Sequence, residues 1–160
     1  MLHRYVNQYG GLMQSIYEYV KLTHIILSVL VLGMNLTYLG WLQLGRKDNS
    51  QTRFVLAGIR MMDSRYTATG YLLILLTGLF MMGVGPYPHS SLWMIFSVVL
   101  LIVLMGIAHG VFTPTLKKAL ADSQQGDVPV LLLKRLHSSG IVVLLIALII
   151  LVMMVLKRPL

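Results

Sequence analysis

The sequence predicts an all-α integral membrane protein built as a four-helix bundle, and three observations carry that prediction. Four apolar stretches, about residues 22–44, 66–88, 90–116 and 136–156, each reach the roughly 20 residues that cross a hydrocarbon core. Charged residues make up only 11% of the chain and none falls inside these stretches, so nothing interrupts a span. The basic residues gather between spans one and two and between spans three and four, as topology-setting loops do. Helices are the simplest spanning solution, because hydrocarbon offers the backbone no partner.

The elements follow in chain order. Residues 1–21 carry Tyr5, Tyr9, Tyr17 and Tyr19 and read as an interfacial segment at headgroup level, ahead of a four-span domain over 22–160. Span one is too long for the apolar core of a cleaved signal. Within it His24, Ser28, Val31, Asn35, Tyr38 and Leu42 fall on one helical stripe, which predicts an interior face. Residues 51–62 mix Arg53 and Arg60 with Phe54, Val55, Leu56, Ile59, Met61 and Met62, an amphipathic helix leading into span two. Pro114 is expected to end span three, and Gly126 and Pro129 to leave the following loop partly irregular. Arg65-Tyr-Thr-Ala-Thr-Gly70 and Arg135-Leu-His-Ser-Ser-Gly140 open spans two and four at an offset of 70 residues, consistent with tandem duplication of a two-helix hairpin.

Arg46, Lys47, Arg53, Arg60 and Arg65 occupy the first loop, and Lys117, Lys118, Lys134 and Arg135 the third. The short loop between spans two and three has neither Lys nor Arg. The positive-inside rule then predicts a bacterial-type inner membrane, basic loops cytoplasmic and both termini outward. A net charge of +8 is thereby explained by topology and anionic headgroups, with no nucleic acid partner implied. With no cysteine, disulfides and thiolate metal sites are excluded.

Three spans carry one histidine each, and an intramembrane titratable group is a functional candidate by default. His24 lies near the outer end of span one, His109 near the inner end of span three and His137 at the inner start of span four. Neutral imidazole commonly ligates haem iron. The inner pair could hold a haem b between spans three and four, with Arg65 and Arg135 near enough to meet its carboxylates. His24 shares its level with Met81, Met82, Met94, Met153 and Met154, a donor set suited to haem iron or to Cu(I). The plainer alternatives are methionine as bundle filler and histidine as interhelical glue. On those terms the chain is a non-catalytic accessory subunit of a larger membrane complex or a homo-oligomer in the bilayer. Paired intramembrane carboxylates, phosphate loops and hydrolase triads are absent from the sequence.

Four motifs resemble the HemJ-type protoporphyrinogen oxidase family and the CopD-like superfamily of small four-span membrane proteins. Lys21-Leu-Thr-His24-Ile-Ile is similar to its Lys-x-x-His-Ile opening. Met62-Asp-Ser-Arg65-Tyr66 with the later Thr77-Gly-Leu79 is similar to its Met-Glu-x-Arg-x-Tyr and Gly-Leu. Ala108-His109-Gly110 resembles its Tyr-His-Gly, and Lys134-Arg-Leu136 with Lys157-Arg-Pro159 the flanks of its last helix. The resemblance implies haem b at His24 and redox chemistry on a tetrapyrrole, an oxidoreductase. The family's Pro-Arg and following histidine are replaced by Leu39-Gly-Trp41 and Arg46-Lys47, and its Asn-Glu-x-Pro by His137-Ser-Ser-Gly140. The likeness is therefore greater to the uncharacterised members than to the oxidase.

Overall fold

The computed structural model describes residues 2–47, 49–85, 91–126 and 128–156. They form four long rods. The first is α1 (Leu2–Lys47). The second joins α2 (Asn49–Met62) to α3 (Ala68–Val84) through a π-helical turn at Asp63–Thr67. The third joins α4 (Leu92–Ile107) to α5 (Thr113–Gln125) through a π-helical turn at Ala108–Phe112. The fourth is α6 (Val130–Leu156). All four are long and apolar enough to cross a membrane.

The rods run up and down in chain order around one axis, with α1 against α2, α3 and α6, α4 against α6, and α2 against α5. The α3–α4 contact is sparse by comparison. Two apolar cores stack along the axis. The inner one collects Leu42, Leu56, Ile59, Leu116, Ala119 and Leu136 at the end that carries the basic residues. The outer one collects Val31, Tyr71, Ile74, Leu101, Leu104 and Val143. The α1 stripe is the spine of both: Val31, Asn35, Tyr38 and Leu42 are all buried. Leucine, isoleucine and valine on the opposite faces are exposed, as lipid-facing positions are.

Boundaries differ from the sequence expectation for identifiable reasons. The segment expected at the headgroups is continuous with α1 from Leu2 onward. The amphipathic segment of the first loop is helical as expected, and it continues without a break into span two. Pro114 does not end the third rod. Its ring would clash with the carbonyl one turn earlier, and the π turn at Ala108–Phe112 widens the ladder at that point, so the helix runs on to Gln125. The rod stops at Gly126, whose φ of 154° is a conformation that only glycine adopts without strain. The fourth helix starts at Val130, ahead of the expected Leu136. Ser90 and residues 86–88 lie outside the described residues. The π turn of the second rod has no counterpart at Leu133–His137, where the proposed hairpin repeat would put one and α6 is regular.

Small residues set the helix crossings. A side chain at Gly70 would run into Cγ2 of Val31, and one at Gly140 would meet Leu39 at 2.9 Å. A Gly70→Leu variant is expected to lose about 1–3 kcal/mol of stability through overpacking. Thermal unfolding in detergent measures this; Gly33→Leu, where nothing lies within 4 Å, is the matched control.

Candidate functional site

His24 is held by its partners in one orientation. The side chain is 7% exposed, and its Nδ1 lies 2.8 Å from Oγ1 of Thr77 on α3. The Thr77 hydroxyl has one hydrogen, and the helix carbonyls of Leu73 (2.7 Å) and Ile74 (3.1 Å) accept it. The threonine oxygen therefore accepts from the ring, which puts the imidazole proton on Nδ1 and leaves Nε2 with a free lone pair. This is how a metal-ligating histidine is usually prepared, with one nitrogen anchored and the other presented. Gly78, one residue on, leaves the space for it: a Cβ there would sit 3.3 Å from Cε1 of His24.

The ring faces a cavity of about 320 Å³ between all four rods. Tyr17, Lys21, His24 and Ser28 of α1 line it with Gly78, Met81 and Met82 of α3, Trp93, Met94 and Ser97 of α4 and Met154 of α6. Tyr71 of α3 also lines it, its walls are otherwise aliphatic, and it lies toward the outer ends of the rods, beside the sparse α3–α4 contact. Among the described residues that line it Lys21 is the cation, paired at 3.2 Å with the exposed Glu18. Four of the five outer methionines thus surround one space with His24; Met153 does not line it. Among the described residues no three His, Asp or Glu side chains group as a metal site. What the cavity offers is one imidazole, several thioethers and apolar walls.

The inner candidates are placed differently. His109 is exposed on its π turn, and Arg65 and Arg135 are exposed on theirs and on α6. His137 is half-buried, with Nδ1 sealed from solvent and without a partner. Neither histidine lines the outer cavity or the small inner void described next.

A polar layer separates the two apolar cores, and sequence reasoning singled out only its α1 half. Asn35 Nδ2 donates to the hydroxyl of Tyr71 at 2.7 Å, and the Tyr38 and Thr67 hydroxyls are bonded at 2.5 Å. Asp63 is 5% exposed; its Oδ2 accepts from Thr113 at 2.9 Å and lies 3.6 Å from Nη1 of Arg60. A void of about 10 Å³ lies among Asn35, Tyr38, Asp63, Thr67 and Tyr71. The burial of Asp63 was not visible in the sequence, because it depends on the wide π turn that faces Asp63 and Thr67 inward together.

A family model described as a predicted integral membrane protein (DUF2269) matches residues 18–158. The chain belongs to that family. No curated protein and no solved structure matches it. The matched range takes in His24, Thr77 and the whole methionine set, so the cavity belongs to the family domain.

Nitrogen-15 NMR of histidine-labelled protein is expected to show His24 as the neutral Nδ1-protonated tautomer. Thr77→Val, which removes the acceptor at constant shape, converts that signal into a tautomer mixture.

Proposed function

We propose that this membrane protein binds a haem b in the outer cavity, where His24 would hold it, and works in electron transfer or tetrapyrrole redox chemistry. The observation that carries this is the His24–Thr77 pair, which ties down Nδ1 of an imidazole that lines an apolar cavity between four helices. The residues present fit the group. A thioether from Met81, Met82, Met94 or Met154 completes a His/Met pair of the kind that raises a haem potential. The Lys21 ammonium suits a carboxylate at the cavity's outer end. The resemblance to HemJ-type proteins supports the same site: the Lys-x-x-His and Thr-Gly-Leu motifs meet here, at Lys21, His24, Thr77 and Gly78.

Bound haem would supply one-electron chemistry, and the chain's own residues determine the conditions. Thr77 keeps the ring oriented through the Nδ1 hydrogen bond. The aliphatic walls would lower the dielectric around the bound group, which disfavours the more highly charged oxidation state. Gly78 leaves the imidazole its place. The basic loops support an inner-membrane location with these loops cytoplasmic, so the cavity opens at the outer leaflet.

Copper handling is the second reading, favoured by four thioethers lining one space with an imidazole. One preparation separates the two. Protein from haem-replete cells is expected to show a Soret band that moves on dithionite reduction. His24→Ala abolishes it, Thr77→Val weakens haem binding roughly 10-fold or more, and His109→Ala leaves it intact. Colourless protein carrying stoichiometric copper overturns the haem assignment in favour of the second reading, and a band that survives His24→Ala overturns the choice of ligand.

A further inference from the structure

The polar layer and its void lie between the inner core and the outer cavity. The void measures about 10 Å³, the space that one water molecule requires. Its polar walls supply more than the two to four partners that a buried water needs: the Asp63 carboxylate, the Tyr38–Thr67 hydroxyl pair, and Asn35 with Tyr71. Tyr71 lines both this void and the outer cavity, and it is the residue that connects them. Its oxygen accepts from Asn35, so its own hydrogen remains free to be donated. At the other end Asp63 lies beside the partly exposed Arg60, at the level where the basic residues begin.

We propose that a single water bound among Asp63, Tyr38 and Tyr71 completes a proton path from the basic-loop face to the outer cavity. Asp63 takes a proton from water at the inner surface and passes it to the bound water. That water releases one of its own protons to the Tyr71 oxygen, as the Tyr71 hydroxyl gives its hydrogen to water in the cavity. Each group gains one proton and loses one, and rotation of the hydroxyls resets the chain. The charged and titratable groups that face Asp63 are Arg60 one turn earlier, His109 on the neighbouring rod and Tyr38 and Tyr71 around the void. Arg60 keeps net charge low when the carboxylate is ionised. The two π turns lie on either side of the Asp63–Thr113 hydrogen bond, and the wider ladder there is what admits a carboxylate between the rods. The path needs the cavity but not its occupant.

Proton flux in vesicles tests this. The full chain carrying His24→Ala, so that no ligand held by that residue fills the cavity, is reconstituted in liposomes with an internal pH dye. Relaxation of an imposed pH gradient is expected to exceed that of protein-free vesicles. Adding Tyr71→Phe, which removes one oxygen and keeps the ring, should cut the protein-dependent rate at least tenfold; Asp63→Asn should do the same and Asp63→Glu should restore it. Helical circular dichroism identifies any variant that fails to fold, and Tyr71→Phe alone then decides. Equal rates with and without the Tyr71 hydroxyl, or no flux above protein-free vesicles, overturn the proposal. The haem assignment is judged separately, by the Soret band of the unsubstituted protein.

Discussion

Hydrocarbon supplies no hydrogen bonds, and this constraint organises the interior of the molecule. A polar side chain between these rods must find a partner on a neighbouring helix or on its own backbone. Ser28, Ser97 and Ser139 take the second course, donating to carbonyls of their own helices. His24, Asn35 and Tyr38 take the first, and each names the helix that α1 must face: Thr77, Tyr71 and Thr67 all lie on the second rod. These three bonds, stacked along one stripe, fix the register of the first hairpin. A slip by one turn would break all three bonds at once and leave Asn35 only its bond to the Val31 carbonyl of its own helix.

The register in turn makes the site. Because Thr77 meets His24, the imidazole is committed to one tautomer, and because Gly78 follows, the ring has room. The sparse α3–α4 contact leaves the outer core incompletely filled, and the methionines of three helices line the gap. Flexible thioethers suit such a space better than branched side chains do, since they adapt to irregular walls without a fixed shape. The polar layer below lies between the cavity and the inner core and gathers the buried polar groups into a narrow band.

Much of this was legible in the residues themselves. The four spans follow from length and hydropathy, and the α1 stripe from an angular period that needs no tertiary information. His24, Ser28, Val31, Asn35, Tyr38 and Leu42 line the interior as that period predicts. The level shared by His24 and the outer methionines could be read from depth alone. The partner of His24 could not, because Thr77 is one of several hydroxyls in its span and only packing selects it. Asp63 escaped because a lone acid ahead of a span ordinarily faces water. The π turns that reverse this depend on hydrogen bonding that no local pattern encodes. Pro114 misled for the same reason: its usual effect is to stop a helix, and here a wide turn absorbs it.

The two cores sit in different solvents, and that difference governs how the bundle can move. Around Leu56, Leu116 and Leu136 the rods pass the level of Arg53, Lys117 and Lys134, where water drives apolar surfaces together. Around Leu101 and Val143 the surroundings are acyl chains, which wet leucine as readily as another leucine does. The molecule is therefore gripped at its base and only leans together at its top, like tongs held at the hinge. Prying its tips apart costs little more than van der Waals contact, and a flat hydrophobic guest could slip between them sideways from the bilayer without the base ever letting go.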